Sequence, residues 1–225
     1  MKVLIDDKIQ DYPAEDIAQW TAELPQWRRE KVEAIKHDAG RRQSLLAYRL
    51  LCQGLREEYG IMEPPTFEYG EHGKPYIAPL PAPPVGRRAA NAPTVIRGRE
   101  SLPPTGGDGE GLYFSLSHCR EAVACVIDEH PCGIDIESVG RKISDSLIRY
   151  SMNEEEQQEI ASPPPHGGSG ERGLVFLRLW TRKEAVLKLI GTGIRDTMKN
   201  VLVDCPYHIE TRETERWVMS VATIS

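Results

Sequence analysis

No stretch of the 225-residue chain approaches the ~18 uninterrupted apolar residues that a membrane-spanning helix needs, so no membrane partner is expected. No signal-peptide pattern opens the chain either, because acid appears at Asp6 before any apolar run of that kind. Cys52, Cys119, Cys125, Cys132 and Cys205 are odd in number and contain no C-x-x-C pair. That predicts reduced thiols in a cytoplasmic protein. An excess of positive charge is missing as well. With 28 Lys+Arg against 34 Asp+Glu the net charge is −6, which argues against coating nucleic acid or anionic lipid by bulk electrostatics. A local basic pocket for a phosphate ligand stays open. There is no P-loop G-x-x-x-x-G-K-[ST] and no short-period repeat. What is present is 40% apolar residues, enough for a core, in a length that suits one ordinary domain or two small ones packed together.

Local patterns predict both helices and antiparallel strands. Residues 2–5 suit a first strand. From Pro25 to about Glu58 the chain turns helical, with Leu45, Leu46, Leu50, Leu51 and Leu55 on one stripe. Gly40 is expected to separate two helices there, and Gly60 to end the second. Phe67, Tyr69 and residues 73–77 read as short strands around a turn. Residues 79–111 hold seven Pro and six Gly with almost no apolar periodicity, the mark of an inserted, largely disordered loop. Residues 163–170 form a second such insertion. Between them, 112–116, 122–127 and 133–136 are apolar runs split by polar turns. Asn153 before three glutamates reads as a helix N-cap, and 174–190 as a helix that Gly191-Thr192-Gly193 stops. The tail from Val201 to Ile224 reads as strands, with Tyr207-His208-Ile209, a polar turn near Glu213, then Trp217 to Ile224. The order β-αα-β, then βββ-αα-βββ, predicts an α+β protein of two similar lobes, 1–111 and 112–225.

Four groups of residues could carry chemistry. In Gly133-Ile134-Asp135-Ile136-Glu137, Asp135 and Glu137 share one face of a strand. Two adjacent carboxylates repel unless a cation lies between them or one is protonated. Taken alone, an acidic solvent-facing strand edge is the simpler reading. In Trp180 to Lys188, Glu184 and Lys188 share a helix face, which alone is a surface ion pair worth a few tenths of a kcal/mol. Ser117 and His118 end a strand where both could donate to a phosphate, or merely form a polar exit. Gly73-Lys74-Pro75 fixes one lysine in a turn, and such turns are common. His118, Cys119, Cys125, His130 and Cys132 are metal-ligand types at spacings that match no familiar zinc pattern. Cys125 also lies in an apolar run, where cysteine acts as a small hydrophobe.

The four groups occur in an order that resembles the 4′-phosphopantetheinyl transferases, in the larger pseudo-dimeric group typified by surfactin-synthetase activators. That family has a G-K-P turn, an F-N-x-S-H-S strand end, a G-[IV]-D-[IV]-E strand and a W-x-x-K-E-[AS]-x-x-K helix. Here stand Gly73-Lys74-Pro75, Phe114 to Cys119, Gly133 to Glu137, and Trp180 to Lys188. Ser115 replaces the family's Asn, and Cys119 the second Ser of S-H-S.

The resemblance implies two lobes related by a pseudo-twofold axis. It implies transfer of 4′-phosphopantetheine from coenzyme A to a serine of an apo acyl or peptidyl carrier protein, with adenosine 3′,5′-bisphosphate released. It implies Mg²⁺ on Asp135, Glu137 and Glu184, with Glu184 also the general base for the carrier serine. Lys183 and Lys188 become pyrophosphate-side cations, with Lys188 stabilising the departing bisphosphate. Ser117 and His118 fall at the 3′-phosphate or pyrophosphate, and Lys74 near the adenine and ribose. Arg28, Lys31, Arg41 and Arg42 are candidates for the 3′-phosphate, and a solvated cationic helix face accounts for them equally well. A monomer is expected, since two lobes in one chain supply the cleft. The competing reading is a catalytically idle module of the same fold that binds coenzyme A or a carrier protein.

Overall fold

A computed structural model describes residues 1–70, 73–78, 111–162, 170–192 and 196–224. Apart from Gly111 and Gly170, the two Pro/Gly-rich insertions lie outside the described residues.

Strand β1 (Lys2–Asp6) leads into three helices, α1 (Ala14–Ala22), α2 (Gln26–Glu33) and α3 (Asp38–Tyr59). Pro13 and Pro25 stand at the N-caps of the first two, where the absent N–H costs nothing. Gly60 takes φ 66° at the end of α3, and Ile61 N–H closes back onto Leu55 O at 3.1 Å, a left-handed stop that suits glycine. Three strands lead to the middle of the chain: β2 (Phe67–Tyr69), β3 (Pro75–Ile77) and β4 (Leu112–His118). Strands β5 (Val123–Asp128) and β6 (Cys132–Ser138) follow, then α4 (Asp145–Ser151), α5 (Glu154–Ala161) and α6 (Glu171–Ile190). A 3₁₀ turn at Asp196–Asn200 precedes β7 (His208–Glu213) and β8 (Trp217–Thr223).

Three local expectations are corrected. Gly40 does not separate two helices: it lies in the first turn of α3, and the break falls at 34–37. Helices α1 and α4 were not expected. The start of the tail, 201–204, is turn, so two strands, split near Glu213 as expected, and not three end the chain.

All strand pairs are antiparallel, in two sheets ordered β1-β5-β4-β3-β2 and β6-β8-β7. The protein is thus α+β. The first sheet takes strands from both sides of the 111/112 boundary.

Alternation along β5 explains the layering. Val123, Cys125 and Ile127 pack with Leu46, Leu50 and Leu55 of α3. Ala122, just before the strand, joins Ala124 and Val126 in packing with Ile134 and Ile136 of β6 and Met219 and Val221 of β8. Opposite faces of one strand therefore serve two cores. On the far side of the second sheet, Ala185, Val186 and Leu189 of α6 pack on Ala222. The layers run α3, five-stranded sheet, three-stranded sheet, α6. No helix among the described residues is long and apolar enough to cross a membrane.

Candidate active site

Helix α6 approaches β6 closely because of one residue. A Cβ at Gly133 would lie 2.0 Å from Ala185 O and 2.6 Å from Leu189 N, distances no side chain tolerates. Glycine lets the helix lie on the strand. Since Ile134 and Ile136 face the inter-sheet core, Asp135 and Glu137 face the α6 side, where Glu184 and Lys188 arrive from the helix. The predicted shared strand face is therefore present, with Asp135 under the helix at 5% exposed and the Glu137 side chain still 22% exposed.

Strand β4 joins the site through two hydroxyls. Ser115 Oγ accepts the Ile134 N–H at 3.2 Å, and Ser117 Oγ accepts the Ile136 N–H at 3.2 Å. Side chains thus replace main-chain pairing where the two sheets meet. Ser117 also donates to Asp135 Oδ1 at 2.8 Å and accepts from Lys188 Nζ at 3.0 Å. Lys188 Nζ lies 2.7 Å from the same Asp135 oxygen. His118, exposed at the strand end, stands in the field of Lys188 and Asp135. Desolvation first, then Lys188, holds its imidazole below the usual range.

The acids perturb one another. Burial, reinforced by the Asp135 charge, pushes Glu184 up to about 7. Lys188 pulls the other way and Glu137 adds to the rise. Burial also raises Glu137, opposed by its bond to Arg141. Asp135 Oδ2 and Glu184 Oε1 are buried with no hydrogen-bond partner. Orphaned carboxylate oxygens of this kind demand a cation or a proton, and an all-oxygen set suits a hard divalent ion. Among the described residues, no three His, Cys, Asp or Glu side chains stand as a closed ligand cluster. Lys188 and Arg141 instead engage one carboxylate each.

Ser117, His118, Asp135, Glu137, Glu184 and Lys188 are therefore brought together, and the remaining predicted residues are not. Lys183 is a correction. It is 0% exposed, and its ammonium donates to Glu156 Oε2 at 2.6 Å and to Ser151 O, Met198 O and Lys199 O at 2.9–3.0 Å. A lysine so enclosed holds α6 to its neighbours and has no donor left for pyrophosphate. Lys74 donates to Cys132 O at 2.7 Å and Leu189 O at 3.2 Å, clamping the turn before β3 to the start of β6 and the end of α6. Arg28 donates to Ser44 O and Oγ at 2.6 and 2.8 Å. Arg42 donates to Ile9 O and Tyr12 O at 3.0 and 2.8 Å, and Arg41 to Ile35 O at 2.7 Å. These guanidiniums act as ties between segments. Lys31 is exposed, with Nζ 5.5 Å from the Trp27 ring centroid. Arg41 and Arg42 line a cleft of about 680 Å³ among α1, α2 and α3, but Glu33 and Asp38 line it too.

Sequence reasoning missed Arg141, which donates from Nη1 to Glu137 Oε1. Its only signal was Gly140, which takes φ 80° and turns the chain back toward β6. It also missed Glu156 as the partner of Lys183, though Asn153 before three glutamates announced the capping box in which Glu156 takes part.

The β6 and α6 residues of this site lie in a stretch that matches a known family, while Ser117 and His118 precede it. Residues 131–220 match the family described as the 4′-phosphopantetheinyl transferase superfamily. The chain is 26% identical over 168 residues to the 4′-phosphopantetheinyl transferase psf-1 of Bacillus pumilus, covering 74% of this chain and 58% of that protein. It is 24% identical over 169 residues to a 4′-phosphopantetheinyl transferase of Bacillus subtilis, covering 74% and 60%. Over 93 residues it is 31% identical to the 4′-phosphopantetheinyl transferase gsp of Aneurinibacillus migulanus, covering 41% and 37%. The chain thus spans less than two thirds of the length of these relatives. Over residues 131–220 the chain is thus similar to the 4′-phosphopantetheinyl transferase superfamily, and the relatives it matches are themselves 4′-phosphopantetheinyl transferases.

Proposed function

We propose that this chain is a 4′-phosphopantetheinyl transferase that moves phosphopantetheine from coenzyme A to a serine of an apo acyl or peptidyl carrier protein. One observation carries the reading: Ser117 of β4 and Lys188 of α6 meet on Asp135 of β6, while Asp135 Oδ2 and Glu184 Oε1 stay buried and unpartnered. Asp135, Glu137 and Glu184 would hold Mg²⁺, which when bound supplies positive charge against the charge that builds on the pyrophosphate.

The serine oxygen forms a bond to the β-phosphorus while the bond from that phosphorus to the bisphosphate oxygen breaks. Glu184 takes the serine proton. Lys188 offers a partly exposed ammonium to the departing bisphosphate. Ser117 positions Asp135 and Lys188 together. His118, at the rim, is free to meet a phosphate. All of these groups come from one chain, which supports a monomer. One long helix on the outer face of each sheet supports two similar lobes, and five unpaired cysteines support a reducing cytoplasmic setting.

The test is mass spectrometry of an apo carrier protein incubated with coenzyme A and Mg²⁺. A serine that gains phosphopantetheine supports transfer. Retention of coenzyme A with no transfer points to an idle binding module and sinks the proposal.

A further inference from the structure

Glu137 does not stand free at the site. The chain leaves β6, turns at Gly140 with φ 80°, and brings Arg141 back so that its Nη1 donates to Glu137 Oε1. The guanidinium carbon lies 5.6 Å from the centroid of the Trp180 ring, within cation–π reach. Trp180 is on α6, one turn before Glu184. Arg141 is thus held from two sides, by a carboxylate of β6 and an aromatic face of α6. Both partners are partly shielded, with side chains 29% and 22% exposed, so the pair is not a fully hydrated surface contact.

Three carboxylates stand in one another's field here, and two resident cations answer two of them. Lys188 takes Asp135 and Arg141 takes Glu137. Glu184 Oε1 has no partner. Packing three acids beside one another without compensation would be costly, and the two side-chain cations reduce that cost. A guanidinium on Glu137 also repels a second cation arriving at the same carboxylates.

We infer that Arg141 is a resident counter-ion that holds Glu137 and competes with a divalent cation for it. This rests on the reading of Asp135, Glu137 and Glu184 as a divalent-cation site. The opposite role is equally concrete: if Arg141 merely orients Glu137 as a ligand, its removal weakens metal binding. The sign of the effect separates the two.

The experiment titrates Mn²⁺ into the full chain, with free ion followed by electron paramagnetic resonance and Mg²⁺ added as competitor. The parent is compared with Arg141→Met, Arg141→Lys and Asp135→Asn. Arg141→Met is expected to bind Mn²⁺ about tenfold more tightly, as removal of one positive charge a few ångströms from a doubly charged ion should give at a half-shielded site. Arg141→Lys keeps the charge and stays within about threefold of the parent. Should Arg141→Met fail to fold, Arg141→Gln retains a donor to Glu137, removes the charge, and carries the same expectation. Unchanged or weaker binding in the neutral variants, with the parent site still lost in Asp135→Asn, overturns the role of Arg141 alone. Absence of binding in the parent, or binding that Asp135→Asn leaves intact, overturns the cation site itself and the inference with it.

Discussion

Lys188 Nζ lies 2.7 Å from Asp135 Oδ1, joining the last turn of α6 to the middle of β6. The lysine side chain is 31% exposed and the aspartate 8%, so one partner reaches solvent while the other cannot. The pair is a structural tie and, at its open end, a cation that a phosphate can reach. Both roles follow from one geometry, and substitutions can separate them.

Lys188→Met leaves the Asp135 carboxylate buried with Ser117 as its remaining donor. We expect a loss of stability of about 1–2 kcal/mol, below the 3–5 kcal/mol of fully buried pairs because the lysine is partly hydrated. Urea unfolding measures it. Turnover should fall much further than stability explains.

Glu184 sets a pH dependence with a definite sign. Its folded-state pKa is raised from the ordinary 4.5 to about 7 by burial and by Asp135. The folded state therefore holds that proton more tightly than the unfolded chain. Without metal, its contribution is greatest below pH 4.5 and is lost as pH rises to about 7, by at most about 3 kcal/mol. Unfolding free energies in the presence of a chelator at pH 5, 6, 7 and 8 should decline accordingly, and Glu184→Gln should flatten the decline. Turnover moves the opposite way, rising with pH as the base ionises. Glu184→Gln is expected to lose roughly 10²–10⁴-fold in single-turnover rate, with coenzyme A affinity kept within about tenfold.

Lys183→Met strands Glu156 in a buried setting without its charge partner. A destabilisation of about 3–5 kcal/mol is expected. The double variant Lys183→Met/Glu156→Leu should recover part of it, since no lone charge remains. If Lys183→Met raised the KM for coenzyme A in a protein of parental stability, the assignment of Lys183 as a tie would be wrong.

Ser115 and Ser117 make equivalent bonds to neighbouring main-chain N–H groups, but only Ser117 touches Asp135 and Lys188. Ser115→Ala and Ser117→Ala should each cost about 1–3 kcal/mol. Turnover should drop at Ser117→Ala alone. Parallel thermal melts and rate measurements distinguish them.

Gly133→Ala would drive a methyl into the backbone of α6, 2.0 Å from Ala185 O. The helix must shift, carrying Glu184 and Lys188 away from Asp135. We expect failure to fold or loss of more than about 3 kcal/mol. A variant that folds with parental stability and rate would show that the close approach is dispensable.

The order of residues alone was enough for the helical stripe of α3, for its glycine stop and for the shared face of Asp135 and Glu137. These are properties of neighbours, set by periods of 3.6 and 2 residues and by the freedom of glycine. Spacing paired Asp135 with Glu137 on a strand and Glu184 with Lys188 on a helix, and only the family resemblance joined the two pairs. Sequence order could not say which cation faces which partner. Lys183 and Lys188 look alike in the chain, yet one is sealed among four acceptors and the other reaches Asp135, since five residues on a helix turn them to different sides. Arg28, Arg41 and Arg42 read as free charge, but each finds carbonyls of segments that are distant in sequence or lie beyond a chain turn. Only packing α6 on β6 at Gly133, and β4 on β6 through two serines, determined that six of the candidates share one site. A charge takes its meaning from the acceptors around it, and the fold alone brings those acceptors near.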